Sequence, residues 1–132
     1  MDFVSFEIAK KLKEKGFREN CFAYYNNEHI EYNYEFPLFV NEMWFSHNSY
    51  DSIWHRDNYD APTISQVLKW LREEKKIHIV CPFYKDKGFY YYVQRIGNAA
   101  RIVSSFGDSD DCFDTHEQAA LAGIEYVLDN LI

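Results

Sequence analysis

The chain is poor in the residues that punctuate or staple a fold. Only five glycines and three prolines occur in 132 residues. No glycine-rich phosphate loop, G-x-S-x-G elbow or dinucleotide fingerprint is present, which removes the readiest nucleotide and hydrolase readings. Cysteine is sparse and odd in number: Cys21, Cys81 and Cys112, with no C-x-x-C pair. A disulfide framework normally shows an even count, so these read as reduced thiols and predict a cytoplasmic protein. No apolar run approaches the roughly 20 residues that cross a bilayer. Met1-Asp2 leads directly into a charged amphipathic segment, so neither a signal peptide nor membrane association is expected. Positive charge is the scarcer sign, 14 Lys and Arg against 21 Asp and Glu, for a net charge of -7. Phosphate contacts dominate nucleic-acid affinity, so this balance argues against a nucleic-acid partner and against anionic membrane surfaces.

Aromatic residues are abundant, at 19% of the chain. That share argues for a packed interior and against disorder. The length fits one ordinary domain, and a single α+β domain spanning 1–132 is expected.

Three helices stand out. Ser5 caps a first helix over about residues 6–15, with Phe6, Ala9 and Leu12 on one stripe and Gly16 as the stop. Thr63, with Gln66 three residues on, opens a second helix that ends near Glu74 and carries Ile64, Val67, Leu68 and Leu71 on its apolar stripe. Asp114 or Thr115 caps a third, with Ala120, Ile124, Val127, Leu128 and Leu131 facing inward. Its Ala119, Ala122 and Gly123 are small enough to let a neighbour come close.

Between the helices lie strand patterns. Cys21–Tyr25 and Ile30–Phe36 predict a hairpin turning at Asn26-Asn27-Glu28-His29 and ended by Pro37. Ile77–Phe83, Phe89–Ile96 and Ala100–Phe106 predict a meander through turns at Lys85-Asp86-Lys87-Gly88 and Gly97-Asn98. Pro82 lacks an N–H, so the first of these strands is an edge or carries a bulge. The expected fold is an antiparallel sheet of about five strands, in the order α-β-β-α-β-β-β-α, with helices mainly on one face. Residues 41–62 show no clean period, apart from a short strand around Glu42–Phe45.

That irregular stretch holds the first functional candidate. Trp44, Tyr50, Trp54 and Tyr59 lie among polar residues and suit a partner-binding surface, because Trp and Tyr are enriched at binding hot spots. The competing reading packs these rings as a satellite core. His47, Asp51 and His55 in the same stretch offer a metal or a small ligand site, but H-E-x-x-H is absent. Asp108, Asp110 and Asp111, followed by Asp114, are dense enough for calcium or magnesium. They lack the glycine and distal glutamate of a calcium loop, and carboxylates before a helix are already favoured by its positive end. Cys112 and His116 would make a thiol-base pair, but no third group stands ready to orient the imidazole. No cofactor is expected.

Two segments look familiar. Ala61-Pro62-Thr63-Ile64-Ser65-Gln66-Val67-Leu68-Lys69-Trp70-Leu71-Arg72-Glu73 and Glu117-Gln118-Ala119-Ala120-Leu121-Ala122-Gly123-Ile124-Glu125-Tyr126-Val127-Leu128, with Ile8–Phe17, resemble segments of small uncharacterised proteins of gut Bacteroides and their relatives. Such proteins are often associated with prophages and other mobile elements. That family carries no established activity, so the resemblance implies a cellular context and transfers no functional residue. The leading expectation is a non-enzymatic protein-interaction or accessory module, with a homodimer through the aromatic stretch or the strand near Pro82 as a further option. The alternatives are a small ligand- or metal-binding domain or enzyme built on His47 and His55, and an acidic mimic of nucleic acid.

Overall fold

A computed structural model describes residues 2–32, 58–98, 100–105 and 112–132. The fold is α+β, with three helices and antiparallel strands. It divides into two compact units, Met1–Thr63 and Ile64–Ile132.

The first unit begins with α1 (Phe6–Glu14). The Ser5 hydroxyl accepts from the Ile8 N–H at 3.3 Å and satisfies one of the helix's open donors. At the other end Gly16 takes φ +88, and the Phe17 N–H donates back to the Leu12 carbonyl at 3.0 Å. This reversal buries Phe17 beside the helix it has just left. Strands β1 (Ala23–Asn26) and β2 (His29–Tyr32) form the expected hairpin, with Asn26 opposite His29 and Asn27 at φ +57. Asparagine tolerates that left-handed backbone better than most residues. A third strand, β3 (Asn58–Asp60), pairs with the other edge of β1 and was not anticipated. Phe6 packs edge-on to Tyr25 and to Tyr59, with ring centroids 5.5 and 5.7 Å away. These two tyrosines are paired across β1 and β3, so one helix residue fixes both strands. The Tyr25 hydroxyl donates to the Val4 carbonyl at 2.6 Å. The strand expected around Glu42–Phe45 lies outside the described residues.

The second unit starts with α2 (Ile64–Glu74), whose Ile64, Val67, Trp70 and Leu71 are buried. Trp70 is part of this face, whereas Leu68 is half-buried. Four strands then form what reads as one long hairpin: β4 (Ile77–Val80), β5 (Phe83–Tyr84), β6 (Gly88–Phe89) and β7 (Tyr92–Arg95). β4 pairs with β7 and β5 with β6, and the register runs unbroken from Val80↔Tyr92 to Phe83↔Phe89. Proline explains the gap between the two ladders. The Tyr90 N–H donates to the Pro82 carbonyl at 3.1 Å, but Pro82 has no N–H to return the bond. β8 (Arg101–Ser104) adds to β7 after a turn at Gly97, with a bulge opposite Val93 and Gln94. Among the described residues the expected antiparallel strands fall into three small sheets, β2-β1-β3, β4-β7-β8 and β5-β6.

The last helix, α3 (His116–Asn130), is capped by Thr115, whose side chain accepts from the Gln118 N–H at 3.1 Å. The Gln118 side chain in turn accepts from the Asp114 N–H, also at 3.1 Å. The sequence left Asp114 and Thr115 open as caps, and the geometry selects Thr115. Both α2 and α3 pack against β4 and against each other. Ile77, Ile79, Tyr91 and Val93 form the covered face of the hairpin. Burying a side chain of this size contributes about 1.5–3 kcal/mol.

Gly123 sets how closely α3 approaches. A Cβ there would lie 2.8 Å from the Ile79 Cγ2 and 3.2 Å from the Tyr91 ring. Ile79 is β-branched and held in a strand, so it has little freedom to move aside. Gly123→Ala should therefore destabilise the protein by about 1–3 kcal/mol through overpacking, less up to about 1 kcal/mol from alanine's better helix propensity. Urea unfolding followed by circular dichroism measures the balance, and an equal or higher midpoint would contradict the close packing.

Candidate interaction surface

The covered face of the hairpin runs out before the hairpin does. Along β4–β5 and β6–β7 the odd-numbered residues face the helices, as the contacts of Gly123 with Ile79 and Tyr91 show. Following that face outward, Tyr91 is buried, Phe89 is half-buried and Phe83 is 65% exposed. Their rings fall into two groups, each of which includes a ring at the α3 entry. Tyr91 and Phe113 centroids are 6.4 Å apart, Phe83 and Phe89 are edge-on at 5.2 Å, and His116 is edge-on to Phe89 at 5.9 Å. α3 begins only at His116, so Phe83 overhangs the end of the helical layer. Tyr84, the next residue, points to the other face and is 44% exposed.

The tip is held firmly. The Phe89 N–H donates to the Phe113 carbonyl at 2.8 Å, and the Phe113 N–H returns a bond to the Phe89 carbonyl at 2.7 Å. Gly88 makes this approach feasible, since it adopts φ +111 and a Cβ on it would sit 2.5 Å from the Phe113 carbonyl oxygen. The turn itself is closed by the Lys87 N–H on the Tyr84 carbonyl at 3.0 Å, with Asp86 at φ +68. Lys85, Asp86 and Lys87 are exposed. The tip thus presents two adjacent rings on opposite faces with an ammonium on each arm of the turn.

The other faces are differently occupied. Arg101 stacks over Tyr92 at 3.8 Å from the ring centroid, and Tyr90 lies 6.4 Å from Tyr92 on the same side of the sheet. His78 also belongs to that side by alternation, and among the described residues its Nδ1 is enclosed without a hydrogen bond. Among the described residues of the first unit, Phe22 is the one exposed large apolar residue, at 57%.

Few of the residues singled out from the sequence are among those described. Trp44, Tyr50 and Trp54, together with His47, Asp51 and His55, lie outside the described residues, as do Asp108, Asp110 and Asp111. Tyr59 is described, and it is half-buried on β3 against Phe6, with the Lys13 ammonium 5.0 Å from its ring centroid. Asp60 beside it is buried. Cys112 is half-buried just before α3. Among the described residues, no three His, Cys, Asp or Glu side chains converge on a point that would hold a metal ion. No described helix is long and apolar enough to cross a membrane.

Sequence reasoning passed over Phe83 and Tyr84, although a signal for them exists. Two large rings in succession cannot both lie on one covered face of a strand, and these two immediately precede a turn. A period-two reading carried to the last residue before Lys85 identifies them as overhanging. No protein-family model matches the chain, and no curated protein or solved structure matches it either.

Two outcomes follow from this geometry. Gly88→Ala should cost at least about 1–3 kcal/mol, because both the left-handed backbone and the clash with Phe113 oppose a side chain. Proton exchange at the Phe89 and Phe113 amides, followed by NMR, should accelerate with it, and unchanged protection would show that Gly88 does not pin the tip. The cysteines give a second measurement. Burial pushes the Cys81 thiol up from 9.0 to about 11. Burial, with Asp60 and Glu19 adding to it, raises Cys21 further still. Both stay protonated through the range where an ordinary thiol ionises, so in the folded protein near pH 9 iodoacetamide should label them more slowly than a free thiol, with Cys21 the slower of the two. Mass spectrometry of timed aliquots reads this, and fast labelling of Cys21 would contradict its enclosure.

Proposed function

We propose that the chain is a non-enzymatic protein-interaction or accessory module of the mobile-element kind, working through aromatic contacts. The observation that carries this reading is the pair of exposed rings, Phe83 and Tyr84, on a hairpin tip fixed by reciprocal bonds to Phe113. Aromatic side chains on a rigid support bind with little ordering cost, and they dominate the energy of many interfaces. Trp44, Tyr50 and Trp54 would extend the same chemistry, whereas Tyr59 is engaged by Phe6 and Lys13. The excess of negative charge suits a protein partner better than a phosphate backbone.

Affinity capture from a lysate of the native host tests the reading. Wild type should retain a discrete protein that a Trp44→Ala/Trp54→Ala variant or a Phe83→Ser/Tyr84→Ser variant retains poorly. Identical catches from all three chains, or conversion of a small molecule by the purified chain, would defeat it.

A further inference from the structure

We draw no further inference here: the strongest candidate, the surface patch of Phe83 and Tyr84 at the β5–β6 tip, carries nothing beyond the reading above because nothing among the described residues shows what covers it.

Discussion

The close seat of α3 on the β4–β7 hairpin governs the second unit. A helix with ordinary side chains rides some distance above a sheet, set by the interleaved groups between them. Gly123 removes that spacer at one point, letting Ile79 and the Tyr91 ring meet the helix backbone. Ala119 and Ala120 keep the same face shallow one turn earlier. The closeness has a consequence at the helix entry. Because α3 starts near the sheet, the residues just before it are near enough to join the hairpin as a partial strand, and Phe113 pairs with Phe89. Gly88 then serves the same purpose on the hairpin that Gly123 serves on the helix. Two glycines that are not interchangeable with alanine, one in a helix and one in a turn, thus set one distance at its two ends.

Much of this was legible in the chain, and the parts that were not have a common cause. Helix boundaries came through because caps are local: Ser5 and Thr115 accept from amides three residues on, a geometry that a few successive residues decide. The hairpin turns came through for the same reason. What local pattern does not encode is which segments meet when they are far apart in the chain. β3 is three residues long and shows no alternation, and it exists because β1 has a second edge for it to join. Tyr59 looked like a surface ring when read in its own neighbourhood. Its position is decided by Phe6, more than 50 residues earlier, and by the ammonium of Lys13. The irregularity at Pro82 was legible as chemistry, since a missing donor is a property of one residue, and β4 is indeed an edge strand of its sheet. Its outcome was not: the register holds across the gap because the flanking pairs on both sides agree. The tip was missed because attention went to where aromatics are dense. Exposure depends on where the helical layer stops, and His116 marks that stop only after the fold is known.

Cations in this acidic chain repeatedly settle on rings. Lys10 lies 5.3 Å from the Phe6 centroid, Lys13 is 5.0 Å from that of Tyr59, Lys75 is 5.3 Å from that of Trp70, and Arg101 is 3.8 Å from that of Tyr92. Each such contact contributes about 0.5–1 kcal/mol at an exposed site. The aliphatic stems matter as much as the charges, because they cover ring surface that would otherwise face water. Phe6, Tyr59 and Tyr92 are half-buried and covered in this way, whereas Trp70 is buried and meets Lys75. Among the described residues, the aromatics that the sequence offers as evidence for a packed interior therefore include two populations of rings. One is buried with Val93 and Leu71; the other is sheltered at the surface by positive side chains.

Phe83 belongs to neither population. It is more exposed than any ring under a cation, yet it lies edge-on to the half-buried Phe89, which is itself edge-on to His116 at the entry of α3. A ring supported in this manner is held in orientation by the rings behind it while contributing little to stability itself, since most of its surface never leaves water. Selection for folding alone gives no reason to keep a large apolar group in such a place. Serine or threonine would satisfy the strand equally well and would not expose apolar surface. The position is explained if the ring's other side is covered some of the time by a surface that the described residues do not provide. The rigidity of the turn supports the same conclusion, because a tip that served only to reverse the chain would not need a second pair of backbone bonds to Phe113.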